Sequence, residues 1–452
     1  MMKIRLFPPA LILLLSATCG EGPTGSARNG ILVLIDTCRF DDVGREGTHG
    51  PVTPNLDRFA AGGASRFTRC SAPAPWTLPS VGSLLTGVYP TVHGALGRYP
   101  DFTKVRADVP TGAELLSAAG FETAAFVNVA FLDPVLGLGR GFDVYDYVGG
   151  ANRKIRRAGP TFDEAAEWLE NRGEGRFFLF IHLFDPHMDF DPVEPFRSRF
   201  LEGYLGEMEP PFAGVSRWKA EKEIPPEIRD FARALYRAEI AGVDHEFGRF
   251  LGRLDSLDLS EETVVMVTAD HGEEFWDHGK FEHGHTLYEE LLHVPFLLRA
   301  PGRPFEPEIG RLVGLVDVMP TLFDLLGLPV DPGFQGESLL PLLEGEDPPG
   351  PRYRFAEALF YGDDWKGVIG ERYKYSMSEG HPAGVLFDLE QDPGERRDLA
   401  GDRPESAAEM SRILVDWYRG ALERTGGSVQ GGETVDMEHE VVEQLRALGY
   451  AD

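Results

Sequence analysis

Ala74-Pro75-Trp76-Thr77-Leu78-Pro79-Ser80-Val81-Gly82-Ser83-Leu84-Leu85-Thr86-Gly87 is the stretch around which the rest of the chain is organised. Thr77 is an N-cap residue type, Pro79 suits a first helical turn, and Val81, Leu84 and Leu85 follow at helical spacing. This reading predicts a helix whose positive end lies at Thr77, where an anion or a developing alkoxide is stabilised by roughly 0.3–2 kcal/mol. Alone, Thr-x-Pro-Ser is an ordinary helix start, so function has to be read from what accompanies it.

Three apolar runs supply that company. Ile31-Leu32-Val33-Leu34-Ile35 ends in Asp36-Thr37-Cys38-Arg39, Phe177-Phe178-Leu179-Phe180-Ile181 ends in His182, and Thr263-Val264-Val265-Met266-Val267-Thr268 ends in Ala269-Asp270-His271-Gly272-Glu273. Continuous apolar runs of this length are strands buried on both faces of a parallel sheet, and the tips of parallel strands share one edge, where α/β enzymes place chemistry. Asp36, His182, Asp270 and His271 are therefore expected to converge. Five of the twelve histidines fall between His271 and His293, a density that suits a site handling anions or metal. Asp36, Asp270 and His271, with Thr77 beside them, are ligand types for one divalent ion such as Ca²⁺, Mn²⁺ or Mg²⁺. His93, His182, His187, His283 and His285 are candidates for binding an anionic ester and protonating its leaving group.

Between these anchors the pattern predicts a short helix opening at Thr53-Pro54, a helix over 111–119, a strand from Phe121 to Val129, and a helix that starts at a Thr161/Glu164 capping box. Residues 188–226, rich in Pro and Gly, read as an excursion over the site, and Glu227 to about Leu254 as a long amphipathic helix. From about residue 350 short alternating runs predict a small antiparallel sheet, followed by a helix from Glu405 to about Ala421.

Composition bounds the partners. A chain of 452 residues with 42% hydrophobic residues supports a large domain plus a smaller one, and 73 acidic against 44 basic side chains give a net charge of −29. That charge argues against nucleic acid or an anionic membrane as partner, so an anionic substrate must be attracted locally. Arg153, Lys154, Arg156 and Arg157 are the only dense basic run and read as a solvated loop. Lys3 and Arg5, the apolar Leu11–Leu15 segment and Ser16-Ala17-Thr18-Cys19 read as an export signal. Cys19, followed by a Gly-rich tether, resembles the lipidated cysteine of bacterial lipoproteins, the one membrane contact expected. Cys38 and Cys70 are too few for a disulfide framework.

Together these features resemble the sulfatase family of the alkaline-phosphatase superfamily. The resemblance rests on the Asp36 strand, Thr53-Pro54-Asn55-Leu56-Asp57, Thr77 to Gly87, His187, Asp270-His271-Gly272, Tyr288-Glu289-Glu290, Val294-Pro295, Leu386-Phe387-Asp388-Leu389 with Asp392-Pro393-Gly394-Glu395, and Leu445 to Tyr450. It implies an α/β sandwich with a mainly parallel sheet and a small C-terminal antiparallel subdomain. The domains are then 1–28 (signal and tether), 29–348 (catalytic) and 349–452 (C-terminal). It also implies one divalent metal, Ca²⁺ or Mn²⁺, held by Asp36, Thr37, Thr77, Asp270 and His271. His187 and His283 become catalytic, and His93, His182, His285 and Asn128 substrate-binding.

The departures bear on the reaction. The family carries Cys or Ser at the Thr77 position, converted to formylglycine, and Arg at Val81. Its sulfate-gripping Lys-x-His falls at Asn128-Val129-Ala130, and Thr37 replaces a frequent second Asp. Thr cannot become that aldehyde hydrate. Members with an unmodified Thr nucleophile are phosphotransferases and phosphodiesterases of envelope lipid or glycan head groups. The expectation is a metal-dependent hydrolase of a sulfuric or phosphoric ester acting through Thr77, periplasmic, outer-membrane-anchored or secreted. Alternatives are an envelope phosphotransferase or phosphodiesterase and a catalytically silent anion-binding protein.

Overall fold

The computed structural model describes residues 27–47, 50–98, 100–149, 155–203, 224–357, 359–427 and 432–447. The expected leader, Cys19, Arg153, Lys154 and most of the 188–226 excursion lie outside them. Each apolar run becomes a strand for the reason its sequence gives: no residue within it needs solvent. The strands of the large sheet are β1 (Asn29–Ile35), β2 (Ser65–Ser71), β3 (Glu122–Asn128), β4 (Val144–Val148), β5 (Phe177–Leu183), β6 (Thr263–Ala269) and β7 (His293–Arg299). Every residue of β1, β5 and β6 is buried.

The sheet runs β2-β7-β6-β1-β5-β3-β4, with short strands at 308–309 and 313–314 against β2. β1 lies between β6 and β5, parallel to both, with Leu34 opposite Thr268 on one side and His182 on the other. β5-β3-β4 continue in parallel, and β7 alone opposes its neighbours β6 and β2. Side chains alternate between faces along a strand. Leu34 and Asp36, Thr268 and Asp270, and His182 therefore project from one face. On that face a side chain at Gly30 would meet Leu322.

The helices are α1 (Pro54–Ala61), α2 (Thr77–Thr86), α3 (Gly112–Ala118), α4 (Ala158–Asn171), α5 (Pro226–Ser256) and α6 (Val318–Leu325). α2 and α6, the helix that carries Leu322, pack together, while α1 and α4 pack on α5. α3 opens with the reciprocal Thr111–Glu114 capping box. Helix α4 starts three residues before the expected Thr161. Its first amide, Ala158 N–H, is capped from across the chain by Asp185 Oδ2 at 2.7 Å, and the Thr161 hydroxyl donates back to Arg157 O inside the helix.

The C-terminal sheet is antiparallel in the order β8 (Arg354–Ala356), β9 (Lys366–Ile369), β10 (Tyr373–Ser378), β11 (His381–Asp388). Helix α7 (Pro404–Arg424) covers it through Met410 and Leu414 against Val368, Tyr375 and Leu386. Lys374, 1% exposed, reaches Glu395 within the subdomain and Glu289 beyond it at 3.0 and 2.9 Å, which ties this sheet to the segment that carries the site's histidines. Among the described residues no helix is long and apolar enough to cross a membrane.

Candidate active site

Asp36 and Asp270 leave their strands at the same sheet edge, and His271 follows Asp270; all three are fully buried. Asp270 Oδ1 accepts the main-chain N–H of Thr37 at 3.1 Å and of His271 at 2.9 Å. Thr37, the first of these two donors, has a left-handed backbone (φ 54°). Gly272 is required here because a side chain would run into the Glu290 carbonyl. His271 Nδ1–H donates to Gly272 O at 2.9 Å, so Nε2 presents its lone pair.

That lone pair lies 3.8 Å from Asp36 Oδ1 and 3.4 Å from Asp270 Oδ2. None of His271 Nε2, Asp270 Oδ2 or the two Asp36 oxygens has a hydrogen-bond partner. One ligand atom from each residue lies within 4.8 Å of the others. Burial, with the Asp270 charge added, pushes the Asp36 carboxyl well above its ordinary range. Electron-rich atoms turned toward one another in a dry pocket are a donor set for a divalent cation, so the residues present fit the metal that the sequence led us to expect.

Helix α2 lies over this cluster. The Ser80 hydroxyl donates to Asp270 O at 2.6 Å, and Thr77, one turn earlier, shares Ser80's helix face. Extended Trp76 is the N-cap and Thr77 the first helical residue, so the helix begins one residue earlier than the sequence reading. Trp76 offers no side-chain cap, Pro79 has no amide hydrogen, and the N–H groups of Thr77 and Leu78 have no acceptor within the helix. Thr77 is 1% exposed, and Val81, one turn on, is buried and uncharged.

The histidines separate. His283 and His187 stand with the metal ligands: the His283 ring centre is 4.5 Å from that of His271 and 5.1 Å from that of His187. His283 Nδ1–H donates to Glu273 Oε1 at 3.0 Å, and His187 Nδ1–H to Met188 O at 2.6 Å with its ring stacked on Phe184. Glu273 escaped the sequence reading as a site residue, although its place directly after Asp270-His271-Gly272 was a usable signal. His182 faces the cluster, with Nε2 3.2 Å from Asp36 Oδ2.

Three expected substrate contacts are elsewhere. His93 is buried behind α2: Nδ1 accepts the Ala95 N–H at 3.0 Å, and Nε2–H faces Pro79 O and the Ser83 hydroxyl, each at 3.1 Å. Both nitrogens are used, and burial lowers its pKa to about 3, so it stays neutral. Gly82 is required because a side chain there would press on the His93 ring. Asn128 lies on the α4 face of the sheet, where its amide donates to His182 O at 2.7 Å and to Thr161 Oγ1 at 3.2 Å. The cause is alternation: Phe126 pairs with Ile181, so Asn128 follows Phe126's face while His182 takes the other. His285 bonds His283 O through Nδ1 at 3.0 Å and Glu274 Oε2 through Nε2 at 3.1 Å, which engages both of its ring nitrogens. His278 is held by Glu290 at 2.6 Å and stacks on Tyr288. Arg156 and Arg157 pair with Asp146 and Asp191 rather than forming a basic patch.

A sulfatase family model matches residues 28–328, and a model described as N-sulphoglucosamine sulphohydrolase, C-terminal, matches residues 276–416. The chain is 25% identical over 464 residues to an arylsulfatase of Clostridium perfringens (strain 13 / Type A), with 87% of this chain and 95% of that one covered. It is 35% identical over 295 residues to arylsulfatase K of Gallus gallus, covering 56% of this chain and only 54% of that relative. Two solved structures share the fold. One, a protein in complex with its substrate D-glucosamine-2-N,6-O-disulfate, has a TM-score of 0.72 at 19% identity, covering 88% of this chain and 98% of its own. The other, the phosphonate monoester hydrolase of Agrobacterium radiobacter, has a TM-score of 0.68 at 20% identity, covering 91% and 100%. With a family model matched over well more than half its length, and strand tips, helix start and C-terminal sheet all in the expected order, this chain belongs to the sulfatase family, ester hydrolases of the alkaline-phosphatase superfamily.

Proposed function

We propose that this hydrolase is metal-dependent, uses Thr77 as its nucleophile, and acts on a phosphoric ester of a glycan or lipid head group. One observation carries the reading: the unbonded, buried atoms of Asp36, Asp270 and His271 converge beneath the first turn of the helix that Thr77 opens. A divalent cation bound by these three residues would supply positive charge beside the Thr77 oxygen and the non-bridging oxygens of the ester. The helix N-terminus, with the amides of Thr77 and Leu78, favours the same negative charge.

Thr77 Oγ1 attacks phosphorus in line and passes its proton to water as the new bond forms, while the bond to the leaving oxygen breaks. His283, held by Glu273, or His187 beside it gives that oxygen a proton. Water then attacks phosphorus of the phospho-Thr77 and restores the hydroxyl. A sulfated Thr77 has no geminal hydroxyl through which to expel sulfate by C–O cleavage, so the residue favours phosphorus over sulfur. The names of the relatives favour sulfuric esters, and the disulfated glucosamine bound by one fold neighbour supports a glycan. The N-terminal leader would place the reaction outside the cytoplasm, with Cys19 as an anchor if lipidated.

The test is turnover of an aryl sulfate, an aryl phosphate and a bis-aryl phosphate with Mn²⁺ or Ca²⁺, alongside Thr77→Ala. Phosphoester turnover that Thr77→Ala abolishes is the expected result. Thr77-dependent sulfate turnover would overturn the preference for phosphorus. Inert substrates at every metal would favour an anion-binding protein that has lost turnover, a reading to which buried Val81 in place of the family's Arg already lends weight.

A further inference from the structure

His187 sits in the loop that leaves β5 at Leu183, and α4 and α5 grip that loop on both sides of the histidine. Ahead of it, Asp185 Oδ2 accepts the first amide of α4, Ala158 N–H, at 2.7 Å. Behind it, Asp191 is held at three atoms. Its N–H donates to Glu239 Oε1 at 2.8 Å, and Arg157, the residue that precedes α4, donates to Asp191 O and to Asp191 Oδ2, each at 2.6 Å. Phe190 packs on Tyr236, one turn before Glu239 on the same face of α5, with ring centres 5.8 Å apart. The His187 ring stacks on Phe184, with centres 4.6 Å apart, so ring and loop move together.

Glu239 is the unusual member of this grip. It is 5% exposed in the middle of a long helix, and among the described residues its Oε2 has no hydrogen-bond partner. It lines a cavity of about 130 Å³ together with Asp185 and Arg157. Glutamate is rarely buried to this degree unless it is paired, and the partner here is the Asp191 amide. Burial first, and then the Asp185 charge, push the Glu239 carboxyl well above its ordinary range. It therefore accepts that amide as the neutral acid, a task glutamine can share and an aliphatic side chain cannot.

Resting on the reading of His187 as a general acid, we propose that Glu239 is a positioning residue which, with Arg157, fixes the loop so that the His187 ring meets the leaving oxygen. The effect passes through the backbone of 187–191 and not through contact with the substrate. A group that acts on proton delivery matters in proportion to how much the leaving oxygen needs the proton. A para-nitrophenoxide departs readily without one, and a phenoxide does not. Loosening the grip should therefore cost a phenyl ester more than a para-nitrophenyl ester. Loss of folded protein alone scales both rates equally.

The experiment measures kcat and KM of the full chain, loaded with Mn²⁺ or Ca²⁺, on diphenyl phosphate and bis(para-nitrophenyl) phosphate, for wild type, Glu239→Leu and Glu239→Gln. Hydrogen exchange across residues 184–191 is followed in the metal-free protein. Glu239→Leu should lose roughly 10–100-fold in kcat on the phenyl ester, clearly less on the para-nitrophenyl ester, with KM little changed. Its exchange across the loop should rise about 5–10-fold. Glu239→Gln should stay close to wild type in every readout. Equal losses on the two esters, a Glu239→Gln as impaired as Glu239→Leu, or unchanged loop exchange in Glu239→Leu overturns the proposal. Should Glu239→Leu not fold, Arg157→Leu, at a side chain 38% exposed, decides by the same comparison of esters and overturns the proposal if both are affected alike. Wild type that turns over neither ester overturns the functional reading of His187 and this inference with it; wild type that turns over both while Glu239→Leu is unaffected overturns this inference alone.

Discussion

His93 decides between a substrate contact and a structural clamp, and the structure allows the size of the effect to be worked out. In His93→Leu the Ala95 N–H and the Pro79 carbonyl lose their buried partner, as does the Ser83 hydroxyl. A buried polar group left unsatisfied costs about 1–3 kcal/mol, so two backbone groups give about 2–5 kcal/mol after partial relaxation. For a chain of this length, unfolding entropy near 2 cal/mol/K per residue turns that into a fall in Tm of about 2–5 °C. The ring also contributes a pH signature. Its folded pKa, about 3, is below the unfolded value of 6.5, so the unfolded state binds the proton more readily between those values. Stability is therefore fully present above pH 6.5 and declines as pH falls toward 3. The assay is metal-free thermal unfolding by circular dichroism from pH 7 to 4, with KM measured in parallel. His93→Leu should melt lower at pH 7 and show a shallower acid decline than wild type. An unchanged Tm and acid decline, with KM raised several-fold, would refute the clamp and restore the substrate contact.

Other consequences follow from the same contacts. Asp270→Asn keeps an acceptor for the amides of Thr37 and His271 but removes a buried charge, so the metal-induced rise in Tm should disappear with the apo protein still folded. Arg354→Met strips Asp317 of a two-nitrogen partner at 2.6 and 3.0 Å, with the pair 9% and 0% exposed; a loss of about 3 kcal/mol is expected in denaturant titration. His285→Gln should lower Tm through its lost bond to buried Glu274 while leaving KM unchanged.

Much of this was legible in the sequence because it was local or periodic. The runs before Asp36, His182 and Asp270 could be strands of only one kind, and parallel pairing then forced their tips together. The long helix at 226–256 and the C-terminal sheet were legible from apolar spacing. What escaped depended on contacts across the chain. Asn128 was placed at the site by its neighbours in sequence, but alternation along β3 turns it to the α4 face. The start of α4 is fixed by Asp185, 27 residues downstream, which no capping pattern within 158–164 could reveal. The histidines between 271 and 293 looked alike as letters; the carboxylates Glu273, Glu274 and Glu290 sort them, each taking a different ring.

The central claim is that Thr77 carries the transferred group. The most direct measurement is acid quench of the metal-loaded protein during steady turnover of the bis-aryl phosphate, followed by mass spectrometry of the peptide containing Thr77. The account predicts a phosphoryl group on Thr77 that appears with substrate and is gone once substrate is exhausted. Turnover at full rate with Thr77 unmodified, and retained in Thr77→Ala, would contradict it.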